Sequence, residues 1–143
     1  MRISEYAKAL ISLGETFFRW AGEITIVDTR RREKIALYAE EIAATLARAA
    51  AAIATLEHTP DDHTAMISAS RELGRISGYV ETIVAALESD LDGRKRAGVK
   101  RRLETLEPFE LEAAVHEHGA FRHARRMASA EGYFRALADS MRV

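Results

Sequence analysis

The chain has 143 residues, a formal net charge of −1, 48% hydrophobic and 30% charged residues, two prolines and no cysteine. That length suits one domain, residues 1–143, with a self-supporting core, and the composition excludes a disordered chain. The charge balance gives no global pull toward nucleic acid or membrane, and the lack of cysteine excludes disulfides, thiolate nucleophiles and cysteine-based zinc sites.

Glu5, Lys8 and Glu15 interrupt the N-terminal segment, so it does not read as a signal peptide. No run approaches the ~20 apolar residues of a membrane-spanning helix. The expectation is a cytoplasmic protein, open to recruitment to a membrane. Alanine, leucine, glutamate and arginine dominate and favour helix throughout. The predicted fold is all-α: an up-and-down helical bundle of four long helices plus a short basic helix, with no internal repeat or dividing linker.

The first helix is predicted over 3–24, with an extension to 27 allowed. Its apolar residues are Ile3, Tyr6, Ala7, Leu10, Ile11, Leu13, Phe17, Phe18, Trp20, Ala21 and Ile24. They cover more than half of its circumference, where a surface helix hides about a third. Two readings follow. Either the helix is buried between neighbours, or it leaves the bundle and buries Leu10, Phe17, Phe18 and Trp20 against a partner or a bilayer.

Asp28 or Thr29 caps the second helix, which runs to 57. Ile35, Tyr38, Ile42, Leu46, Ala49, Ile53 and Leu56 alternate steps of three and four, one packed seam. His58-Thr59-Pro60 ends it. Asp61 or Asp62 caps a third helix to 91, with Met66, Leu73, Ile76, Val80, Ile83, Val84, Leu87 and Leu91 as its seam. The two make an antiparallel hairpin. Opposite the third seam, Ser70, Gly74, Gly78, Thr82 and Ala86 recur every fourth residue. Such small residues let another backbone approach closely, and the alanine-dense run 43–54 is the expected partner.

Asp92-Gly93 breaks the pattern before a basic helix over 94–106, edged by Val99, Leu103 and Leu106. Pro108 starts the last helix, with Glu110 and Glu112 at its positive dipole end, and the helix reaches 140. Residues 61–91 are rich in carboxylates and the following segment in cations, so the two are expected to attract each other. Arg94, Lys95, Arg96, Lys100, Arg101 and Arg102 form a basic face suited to phosphates. No aromatic residue is interleaved for base stacking. The run Arg30-Arg31-Arg32 opposes its own helix dipole, which marks either a partner site or a tolerated conflict in water.

Glu112, His116 and His123 share one face, but a carboxylate-bridged metal site needs Glu-x-x-His pairs on two helices. No metal or other cofactor is therefore expected. The Arg-to-His spacing of helical ribonucleases is absent, as are a Ser-His-Asp constellation and a phosphate-binding glycine loop. The expectation is a protein that is not an enzyme.

The broad apolar first helix, the segment Arg31-Arg32-Glu33-Lys34-Ile35-Ala36-Leu37-Tyr38-Ala39-Glu40-Glu41-Ile42 and residues 73–91 together resemble the four-helix-bundle cell-death domains. These are the N-terminal domains of mixed-lineage-kinase-like proteins, the fungal HeLo domains and their bacterial counterparts. The resemblance covers 3–91 by helix order and pattern. The first helix departs from it in having only Gly14 and Gly22 and no glycine zipper. It implies a bundle that oligomerises and engages membranes through its first helix.

The functional expectation is a non-enzymatic helical interaction module. Leu10, Phe17, Phe18 and Trp20 would contact a protein partner, a second copy or an anionic membrane, with phosphate contacts from the basic segment. The alternatives are a nucleic-acid-associated protein using 94–102, a structural oligomer subunit, and a metal-dependent helical enzyme.

Overall fold

The computed structural model describes residues 3–23, 29–59, 61–87, 93–94, 97–99, 101 and 120–142. Four long helices carry the fold: α1 Ile3–Glu23, α2 Thr29–His58, α3 His63–Leu87 and α4 Ala120–Met141. Residues 93, 94, 97–99 and 101 are also helical. The all-α expectation holds. The expected cap Asp28, the terminator Pro60, Leu91 and the whole of 102–119 lie outside the described residues, Pro108, Glu110, Glu112, His116 and His118 among them. Of His123 only the helical backbone is described.

α2 occupies the middle. Its seam residues Ile35, Ile42, Leu46, Ala49, Ile53 and Leu56 are buried, and Ala36, Ala39 and Ala43 widen the buried arc. That breadth lets one helix pack α3 on one side and α4 on the other, while α1 packs on α4. The helices thus follow one another in space as α1, α4, α2, α3.

The α2–α3 hairpin forms as the seam spacing predicts. Thr59 N–H closes on the Thr55 carbonyl, Asp62 N–H on that of Thr59, and Asp62 Oδ1 accepts the Ala65 N–H at 3.0 Å as the cap of α3. Glu72, almost fully buried on α3, takes Arg48 Nε of α2 at 3.0 Å, and Arg48 Nη2 donates to buried Thr45 Oγ1. Tyr38 and Tyr79 pack between the same helices with ring centroids 5.8 Å apart.

The small-residue stripe does not make this contact, which corrects the expected pairing with 43–54. α3 turns Ala65, Ala69, Leu73, Ile76, Val80, Ile83 and Leu87 to the core. Ser70, Gly74 and Gly78 are exposed, and a Cβ built on either glycine meets nothing within 4 Å. The reason is energetic. Burying a Leu, Ile or Val side chain is worth about 1.5–3 kcal/mol, and a glycine face offers nothing comparable.

The close approach lies elsewhere, between α1 and α4. A Cβ on Gly14 would stand 2.8 Å from Tyr133 Cβ and 3.4 Å from the Phe134 ring. Phe17 fills the space beside it, edge-on to Phe134 at 6.3 Å and to Trp20 at 5.6 Å. Gly14→Ala is expected to lower stability by about 1–2 kcal/mol, because overpacking outweighs the gain in helix propensity. Gly74→Ala and Gly78→Ala are each expected to raise it by about 0.5–1 kcal/mol. Urea unfolding of dilute protein measures both.

Candidate functional site

The residues that sequence reasoning singled out divide between the core and the surface. α1 divides its apolar side chains in two. Leu10, Phe17 and Trp20 are buried with Leu13 in the common core. In this state they are core residues, the first of the two readings of this helix, and they would reach a partner only if α1 left the bundle. Their spacing of three, four and three explains this, since it winds one face of a helix onto α4. Phe18 is rotated off that face and remains 43% exposed. Ile11, one heptad earlier, is half-buried at the edge of the same outer face. Lys8, Glu15 and Arg19 stand exposed around them.

In the basic segment Arg94 and Arg101 are exposed and seven residues apart. Val99 is buried in the common core and fastens the segment to the bundle. Lys95, Arg96, Lys100 and Arg102 lie outside the described residues. Sequence reasoning did not single out Leu37 and Ile67, which are 48% and 58% exposed. Both fall outside the apolar seams of α2 and α3, and that offset was the available signal.

The arginines at the start of α2 have a definite task. Arg31 Nε and Nη2 donate to the Ala86 carbonyl in the last turn of α3, at 2.9 and 2.6 Å. Arg32 Nε donates to the Met141 carbonyl at 3.0 Å and Nη2 to that of Ser140 at 3.2 Å. Both neighbours therefore bring their C-terminal ends to the N-terminal end of α2. They run antiparallel to α2 and parallel to each other, so α3 ends and α4 begins at opposite ends of the molecule. A cation that opposes its own helix dipole here serves the unsatisfied carbonyls of two others. The conflict seen in the sequence is resolved between helices.

Arg142 completes the joint from the other side. It grips Glu33 of α2 through Nη2 at 2.9 Å and Nε at 3.3 Å, and its Nη1 donates to Glu40. The hydrogen bond from Arg142 holds the Glu33 carboxyl below its ordinary value of 4.5, and the two carboxylates raise the Arg142 guanidinium in return. On the far side of α4, a hydrogen bond to Glu15 of α1 raises the Tyr133 phenol above its ordinary value. Among the described residues, no group of three or more His, Asp or Glu is placed to hold a metal ion, and no helix is long and apolar enough to cross a membrane.

Two outcomes follow. Arg31→Ala and Arg32→Ala are each expected to cost about 1–2 kcal/mol in denaturant unfolding, since carbonyls at two helix ends lose charged donors. Because the folded value of Glu33 is depressed, its pairing contributes above 4.5 and is lost as the pH falls through the lowered value. Arg142→Gln should be less stable than the parent at neutral pH, and the gap should close in acid. Thermal melts across that range measure it.

Comparison of the chain with protein-family models, with curated proteins and with solved structures found no match to any of them.

Proposed function

We propose that this chain is a non-enzymatic helical interaction module that engages a protein partner or an anionic membrane through the outer face of α1. The observation that carries this reading is the division of α1. Leu10, Leu13, Phe17 and Trp20 anchor the helix, while its neighbour Phe18 stays 43% exposed among charged side chains. An aromatic ring held at the surface by a rigid helix adds apolar contact area at little conformational cost. Exposed Arg94 and Arg101 would add a salt-sensitive attraction to phosphates or carboxylates.

Such a module fits the mode of action that the resemblance to the cell-death domains implies, in which the first helix makes the contact. Release of the whole helix would bury Leu10 and Phe17 elsewhere, at the cost of the Gly14 seat and the Phe17–Phe134 contact. Docking by Phe18 needs neither loss. A second reading, nucleic-acid binding, is favoured only by the exposure of Arg94 and Arg101.

Co-sedimentation with neutral and with anionic vesicles, for the parent and for Phe18→Glu, separates these readings. Binding that needs anionic lipid and falls at least about tenfold in Phe18→Glu supports the α1 contact with a membrane. Binding to DNA or RNA that collapses with salt and ignores Phe18→Glu favours the second reading. No vesicle binding by the folded parent removes the membrane and leaves a protein partner.

A further inference from the structure

The outward face of α3 has no partner within the described fold, and its layout selects one. It carries Ile67, Arg71, Gly74, Gly78, Glu81 and Ala85, which lie within about a third of the helix circumference at 100° per residue. All six are exposed, Ile67 at 58%. The glycines only make room, since they leave open space where a Cβ would stand. The order of the other residues is what identifies an occupant.

Turned end for end about Ile76, the face maps onto itself. Gly74 falls on Gly78, Arg71 on Glu81 and Ile67 on Ala85. A second α3 laid antiparallel against the first would bring backbone to backbone at the glycines. It would set each Arg71 across from the other copy's Glu81 and cover each Ile67 with an alanine. The two Arg71 side chains, and likewise the two Glu81 side chains, would be separated by about ten residues of helix, ~15 Å, while the exposed Arg75 pair would stand at the rim of the contact near its centre. An unrelated partner would have to supply all of this complementarity itself, whereas a second copy already has it.

We infer that the outward face of α3 is an isologous interface by which two copies of this chain pair antiparallel, centred on Gly74 and Gly78. The inference does not depend on what α1 engages. A single helix pair buries less than the ~1,200–2,000 Å² of a standard interface, so the dimer is a weak, concentration-dependent one.

The test is sedimentation equilibrium on the full chain over a concentration series up to about 1 mM. The parent is expected to dimerise. Arg71→Glu places carboxylates opposite each other, and Glu81→Arg places cations opposite each other. Each should weaken self-association at least about tenfold. Mixed together, the two variants should pair with one another, because both 71–81 contacts are then between opposite charges. Gly78→Leu meets open space in the monomer, so it should leave circular dichroism unchanged while abolishing the dimer. A parent that stays monomeric throughout the series overturns the inference. So does a dimer indifferent to Gly78→Leu, or two charge variants that fail to pair on mixing.

Discussion

Everything in this molecule leans on the two-sidedness of α2. A helix that serves one neighbour needs one apolar stripe, but α2 must satisfy α3 and α4 together. It does so with large residues in the middle of its buried arc and alanines toward one flank, which let a neighbour come close without a second row of bulky side chains. Its start is shared as well. Arg31 and Arg32 collect the carbonyl ends of both neighbours, so the two are fixed lengthwise as well as sideways. The apolar core sets which faces meet, and the guanidinium contacts set how far each helix has slid.

The parallel arrangement of α3 and α4 depends on that joint. Two helix C-termini brought to the same end of the bundle, on either side of α2, carry partial negative charge and carbonyls without intrahelical partners, which is unfavourable if left alone. Arginine suits the place better than lysine, since its planar fork supplies two donors to one end at once and never loses its charge. Arg142 adds a second crossing in the opposite sense, from the end of α4 back to carboxylates on α2. Each of these pairs is partly open to water and modest by itself. Their number at one end of the bundle gives them weight.

Much of the fold was legible in the sequence. Ile35 to Leu56 and Leu73 to Leu87 repeat at helical spacing with a turn between them, so the hairpin follows from periodicity. Asp62 could be read as a cap because aspartate precedes the apolar run. The orientation of α3 was not read correctly. Small residues permit close packing but do not compel it, and the larger free energy of the Leu, Ile and Val face decided which side went inward. Phe17 and Phe18 look alike in composition; only the angle between them, measured against Leu10, Leu13 and Trp20, separates anchor from surface. The arginine run could be recognised as a conflict but not resolved, because its partners are about 55 and 109 residues away in the chain. A contact at that range leaves no local pattern.

The absent side chain at Gly14 also acts as a notch. Tyr133 and Phe134 sit over one position of α1, and the next residue, Glu15, is already turned outward toward the tyrosine hydroxyl. Sliding α1 along α4 by one turn would bring Leu10 or Phe18 toward that seat, where neither fits. The helix therefore has a single axial setting. A partial slide would have to push a bulky side chain into the Tyr133–Phe134 contact at every neighbouring turn, so the seat fixes the register of α1 as well as its distance from α4.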